Sequence, residues 1–201
     1  MTDRIAVFPL NTVLYPGGPL PLRIFETRYI DMVKRCMRND EPFAVAALTE
    51  GTETDSWSYQ EVATLARIRD FETLPDGLLG IVAEGGERVR LGKPEREADG
   101  LNTAHAETLA AEPSQAVRKE DDDLVTLLRD LLEQLPEFYA GRERHFDDAT
   151  WVGYRLAEIL PFSLAQKQYF LEIDDPQRRL DILRPLVDSL RVAQEDDLPR
   201  A

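Results

Sequence analysis

The sequence predicts an α+β chain: a β-rich first half that curls into a barrel or a curled sheet, followed by a wholly helical second half. Three observations predict it. Short apolar runs separated by Pro, Gly and Asp turns fill the chain up to about residue 112. The character then changes at EPSQAVRK, residues 112–119. Beyond it, Leu124, Leu127, Leu128, Leu131, Leu132 and Leu135 recur at the spacing of one helix face. The division expected is a β-barrel subdomain over 1–112 and a helical subdomain with a frayed tail, from Gln194 onward, over 113–201.

Each element follows in order. Ile5–Leu10 and Leu20–Phe25 read as strands. Pro16-Gly17-Gly18-Pro19 breaks them apart, because proline removes donors and glycine permits positive φ. Thr27–Arg38 reads as a helix with Ile30, Val33 and Met37 on its buried stripe, Tyr29 and Cys36 beside them, and its Arg and Lys residues toward water. Asn39 suits a left-handed end, and Pro42 prevents resumption. Phe43–Thr49 reads as a buried strand and GTETDSWSYQ, residues 51–60, as a loop. Alternation resumes at Val62, and Pro75-Asp76-Gly77 supplies a turn, so Ile68–Ala83 reads as a hairpin. Val89–Leu91 and Thr103–Leu109 add strands, with a turn at Asp99-Gly100, for about six or seven in all.

Glu120–Asp123 load the start of the leucine helix, where the helix dipole favours negative charge. Trp151–Leu160 is a second helix, stopped by Pro161. Ser163 and Gln166 have the spacing of a capping box for a third. Asp175-Pro176 gives an N-cap and a first-turn proline to a fourth, Gln177–Val192, with Pro185 expected to kink or break it.

The bulk numbers narrow the function. The chain has 201 residues and a formal net charge of −14. Such a field repels phosphate backbones and anionic membranes. Cys36 stands alone, so no disulfide forms within the chain, and a reducing compartment is expected. No signal peptide or membrane span is read, which points to the cytoplasm.

Searches for chemistry return little. None of Lys34, Lys93, Lys119 and Lys167 precedes Ser or Thr, so no nucleotide P-loop is present. His105 and His145 lack the neighbours of a metal site. Cys36 sits near a buried helix stripe, where a free cysteine packs as a small apolar group. Glu120–Asp123 read as a solvated helix start rather than a cation site. Arg88, Arg90, Lys93 and Arg96 read as the charged face of an edge strand, with RNA or nucleotide recognition as the alternative. No catalytic residue, metal ligand or cofactor is assigned. An undetected hydrolase would have to be assembled from residues that no local motif reveals.

Three segments carry a resemblance. FPLNTVLYPGGPLPLRIFETRYIDMVKRC, VATLARIRDFETLPDGLLGIVAEGGERVRL and LAEILPFSLAQKQYFLEIDDPQRRLDIL resemble, in that order, the N-terminal domain of the ATP-dependent protease Lon. The resemblance runs from Ile5 to about Val192. It implies a PUA-like β-barrel of about six strands with a helix in its wall, followed by a helical bundle. It also implies a role in recognising protein substrates. ATP and peptide hydrolysis belong to downstream domains of such proteases, so the expectation is a stand-alone, non-enzymatic bacterial substrate-binding-domain protein. The helical part here is short and lacks a long coiled-coil helix.

The partner expected is a protein or a peptide, including unfolded polypeptide, held in an apolar groove or at an exposed strand edge. Candidate binding residues are Leu14, Tyr15, Pro16, Gly17, Gly18, Pro19 and Phe71. Arg28 and Tyr29 are expected to fasten the first helix to the barrel, and Pro75, Asp76 and Gly77 to shape the hairpin turn.

Overall fold

The computed structural model describes residues 4–50, 58–135, 139 and 142–196. Eight strands precede most of the helices: β1 (Arg4–Leu10), β2 (Pro19–Ile24), β3 (Phe43–Glu50), β4 (Ser58–Tyr59), β5 (Val62–Thr73), β6 (Leu79–Leu91), β7 (Glu95–Arg96) and β8 (Asn102–Thr108). The helices are α1 (Thr27–Asn39), α2 (Asp122–Glu133), α3 (Ala149–Ile159), α4 (Leu164–Glu172) and α5 (Pro176–Asp196).

The sheet runs β2-β6-β5-β3-β1-β8-β7, with β4 on β3. A further pairing of β6 with β8 closes β1, β3, β5, β6 and β8 into a five-stranded ring. Among the described strands only β1 and β3 pair in parallel, from Val7↔Ala44 to Leu10↔Ala47. The period-2 alternation of strands sorts the apolar residues into two cores, one per sheet face. Phe8, Phe43, Val45 and Ile81 pack with Tyr29, Met32, Val33 and Cys36 of α1. Val7, Ala44, Ala46, Ala63, Val89 and Ala104 form the other, from small side chains supplied by every strand of the ring. This is why Phe43–Ala47 is apolar at consecutive positions: both faces of β3 are covered.

The chain divides into two compact units. Met1–Ala111 and Ser163–Glu172 make one, and Glu112–Phe162 with Ile173–Ala201 the other. Helix α4 therefore returns to the barrel. Tyr15 Oη donates to the Lys167 carbonyl at 2.7 Å, and an Arg88 guanidinium N–H to the Leu171 carbonyl at 2.8 Å. Gln168 Nε2 donates to the Val62 carbonyl at 3.0 Å. Arg88 thereby satisfies one of the carbonyls that a helix end leaves orphaned, at the end where a cation is favoured.

In the helical unit Leu124, Leu128 and Leu132 of α2 are buried. Arg179 is fully buried and grips Glu112 with two bonds, 2.9 and 2.6 Å, while stacking 4.0 Å above the Tyr154 ring. Asp121, also fully buried, receives Arg118 at 2.9 Å and Arg184. The acidic run at the start of α2 is thus not simply a solvated face: nearby Arg118 and distant Arg184 draw Asp121 inside.

Helix ends were the most local signals and follow their chemistry. Ser163 N donates to Gln166 Oε1 at 2.9 Å and Gln166 N to Ser163 Oγ at 3.3 Å, a closed capping box. Asp175 Oδ1 accepts from Gln177 N and Arg178 N. Helix α1 ends one residue later than expected, with Asp40 rather than Asn39 in the left-handed region at φ 53°. Short polar side chains tolerate that region, and Asp40 directly precedes the Glu41-Pro42 exit. Helix α5 continues through Pro185 as one element.

Two strand expectations change. Val89–Leu91 is no separate strand, because β6 runs on through Gly85-Gly86. Ser58–Tyr59, at the end of the expected loop, pairs with β3; residues 51–57 of that loop lie outside the described residues, as do 197–201 of the expected frayed tail.

Candidate functional site

The loop between β1 and β2 is built inward. Leu14 and Tyr15 are buried, Tyr15 completely, and Gly18 and Pro19 are buried too. Thr64 Oγ1 donates to the Leu14 carbonyl at 2.6 Å. Gly17 N donates to the Gly85 carbonyl at 2.7 Å, and Gly85 N to the Gly18 carbonyl at 2.9 Å. Gly17 takes φ +70°, which the Pro-Gly-Gly-Pro run provides without a Cβ penalty. A Cβ on Gly85 would lie 2.1 Å from the Tyr15 carbonyl oxygen, so this strand position exists as glycine to let the loop press in. Of the loop's six candidate binding residues, only half-buried Pro16 and exposed Gly17 reach the surface.

Arg28 and Tyr29 hold α1 down. Tyr29 stacks on Phe8 with ring centroids 4.0 Å apart, and the Arg28 guanidinium donates to the Gly100 carbonyl at 3.1 Å and pairs with Glu26 at 2.8 Å. Arg28 is buried rather than turned toward water. At the hairpin tip, Gly77 has φ +84°, its N–H donates to the Leu74 carbonyl, and Asp76 accepts from Leu78 N at 3.2 Å. Pro75, Asp76 and Gly77 are exposed.

Phe71 is 58% exposed and stands beside a feature the sequence did not show. A one-residue bulge at Arg69 keeps Ile68 and Phe71, three positions apart, on one face, since their partners Ala83 and Ile81 both belong to the core beneath α1. Met37, expected in the buried stripe, is 43% exposed. It lies one residue beyond Cys36, the last buried residue of α1, near the C-terminal end of the helix. Between the last turn of α1 and β5 lies a groove of about 170 Å³, walled by Cys36, Met37, Ile68 and Phe71 and rimmed by Asp40, Glu41, Arg67 and Arg69. It shares Arg67 and Arg69 with a second recess of about 290 Å³, and Cys36 and Glu41 with a third of about 640 Å³. The three adjoin one another around Glu41-Pro42.

The electrostatics of this surface are quiet. Arg67 caps α1 by donating to the carbonyl and carboxylate of Asp40, and Arg69 pairs with Glu84 at 3.1 Å. Burial pushes the Cys36 thiol above its ordinary value, and neighbouring Arg35 does not reverse this, so Cys36 stays protonated and is a poor nucleophile. Among the described residues no group of three His, Cys, Asp or Glu is placed to hold a metal ion. No described helix is long and apolar enough to cross a membrane.

The basic alternation comes apart. Arg88 is buried against α4, while Arg90, Lys93 and Arg96 are exposed and spread over β6, β7 and the turn between them. At Arg88–Arg90, β6 is not an edge, since β5 and β8 flank it.

This fold and its layout match known proteins. Residues 4–189 match the family described as ATP-dependent protease La (LON) substrate-binding domain. The chain belongs to that family. It is 27% identical to the Lon protease of Erwinia amylovora over 92% of its own length, and 28% identical to Lon protease 1 of Bdellovibrio bacteriovorus over 96%. It spans about a quarter of the length of those proteases, 25% and 26%. A crystal structure of a Lon N-terminal domain protein from Xanthomonas campestris superposes with a TM-score of 0.75 at 33% identity, covering 91% of this chain and 98% of that one. The N-terminal domain of a Mycobacterium avium complex Lon protease shares the fold at 18% identity, with a TM-score of 0.61, over 90% of this chain and 96% of that one.

Proposed function

We propose that this Lon substrate-binding-domain protein is a non-catalytic module that binds polypeptide segments in the cytoplasm. The observation that carries the reading is the set of three adjoining recesses around the end of α1, the smallest of them lined by exposed Phe71 of β5 and Met37 of α1. Apolar side chains left half bare beside a groove are the usual mark of a surface that receives another chain. The family's description as a substrate-binding domain supports the same reading. Binding then belongs to the barrel subdomain, within residues 1–112, and the helical subdomain of 113–201 is assigned no contact with the client. Of the loop residues proposed from sequence, Pro16 and Gly17 keep a place at the surface, and Phe71 becomes the principal contact.

The test is fluorescence anisotropy with a reduced, carboxymethylated unfolded protein. Saturable binding is expected, weakened about tenfold by Phe71→Asp, the loss of one buried aromatic contact. Absence of saturable binding across several such clients overturns the reading. Peptidase and ATPase assays on the purified chain are expected to show no turnover.

A further inference from the structure

We propose that the free edge of β5, Arg67–Thr73, is a docking strand: an extended polypeptide segment pairs with it as an added β-strand and lays alternate apolar side chains against Ile68, Phe71 and Met37. This deepens the polypeptide-binding reading and rests on it. The ladder between β3 and β5 stops at Phe43↔Ala66, yet β5 continues to Thr73 with β6 as its partner among the described residues. Among the described residues no strand pairs with the far side of this stretch, which lies beside the α1 groove.

The direction of the backbone groups follows from the hairpin. Leu74 N donates to the Leu78 carbonyl, so Leu74 faces β6. By alternation, Thr73 and Phe71 face away from it. The Phe71 N–H bonds at 2.8 Å to the carboxylate of the preceding residue, Asp70. This donor therefore turns to a side chain rather than to β6. A backbone edge with this spacing is matched by another backbone, which is why the occupant is a polypeptide rather than a small molecule.

The opposite edge of the same sheet sharpens the choice. Strand β2 also ends the sheet, and it carries Pro19 and Pro21. Its ladder with β6 forms only if both prolines face away, so the free side of β2 keeps one donor, Arg23, of three positions. One edge is blunted against strand addition, while the other carries no proline from Arg67 to Thr73 and lies next to an apolar groove. The segment accepted is apolar at every second position and free of proline at the positions that face β5.

The experiment uses the intact chain and an acetylated, amidated peptide of about eight residues alternating valine and threonine. Two forms carry N-methyl groups on amides of one parity or the other. With two edge hydrogen bonds removed, one form is expected to bind about tenfold more weakly, while the other stays within about twofold of the parent. Amide exchange at Phe71 and Thr73 is expected to slow with the parent peptide and with reduced, carboxymethylated unfolded protein. Thr73→Pro, which removes an outward N–H and leaves the β6 ladder intact, is expected to weaken both while keeping the thermal midpoint. Equal binding of the two methylated forms, or unchanged exchange at Phe71 and Thr73 when unfolded protein is bound, overturns strand addition and leaves polypeptide binding standing. Failure of the unfolded protein itself to bind overturns both.

Discussion

In the barrel unit the large side chains that lose nearly all contact with water are Tyr15, Ile24, Met32, Phe43, Leu101, Phe170 and Leu171; in the helical unit Arg179 stands among the leucines, and Asp121 is as deeply buried. Buried cations occur in both, but they end differently. Arg28 and Arg88 of the barrel unit reach backbone carbonyls, at Gly100 and Leu171, and Arg28 also pairs with Glu26, a carboxylate that stays 22% exposed. Arg179 reaches Glu112, and Arg118 and Arg184 reach Asp121. A carbonyl cannot titrate or leave a bare charge behind, whereas a carboxylate can do both. The helical unit therefore rests more heavily on charges that must stay matched, since Glu112 and Asp121, with side chains 3% and 0% exposed, are carboxylates buried with their arginines.

The largest expected effect breaks that match. Arg179→Met leaves the Glu112 carboxylate buried without its guanidinium, with Tyr154 Oη still donating to it, and is expected to destabilise the helical unit by about 3–5 kcal/mol. Adding Glu112→Met should recover much of the loss, and urea unfolding of the single and double variants checks both. Next is the shape term of the barrel. Gly85→Ala drives a Cβ into the Tyr15 carbonyl, which is backbone and cannot swing aside, so about 2–4 kcal/mol is expected from the same measurement. A Cβ at Gly17 has no atom within 4 Å, so Gly17→Val strains chiefly its own positive φ, for about 1–2 kcal/mol, with weaker client binding and no change in any catalytic rate.

Acid separates the two units more gently. Burial pushes the Asp123 carboxyl up, but the Arg184 hydrogen bond and charge outweigh it and hold it below the ordinary carboxylate value. Its contribution is complete above the unfolded value of about 4 and is lost as pH falls through the lower folded value. Amide exchange followed from about pH 6 to about pH 3 should loosen α2 and α5 before the strands. The smallest effect is Phe71→Ser, expected within about 0.5 kcal/mol of the parent in stability while client binding falls.

What could be read ahead was what depends on near neighbours. The Ser163–Gln166 box, the Asp175 cap and the Pro75-Asp76-Gly77 turn each close within a few residues, and each was visible as a pattern. Asp121, Arg88 and Tyr15 take their roles from partners 63, 83 and 152 positions away, and no local spacing encodes that. The candidate site divides the same way. Phe71 is legible as an aromatic residue at a hairpin, but Met37, which helical spacing puts in the buried stripe, is 43% exposed. Helical periodicity names a face without saying how far the covering sheet extends along it.

The return of α4 to the barrel sets an order on how the chain is made. Tyr15, Val62 and Arg88 leave the ribosome long before residues 163–172, which supply or seek their bonds. At roughly 5–20 residues per second, the barrel waits several seconds with its α4 seat vacant while all of α2 and α3 is synthesised. During that interval Tyr15 and Arg88 have no helix to hold, and whatever chaperone attends the emerging chain meets a barrel whose last piece arrives out of sequence.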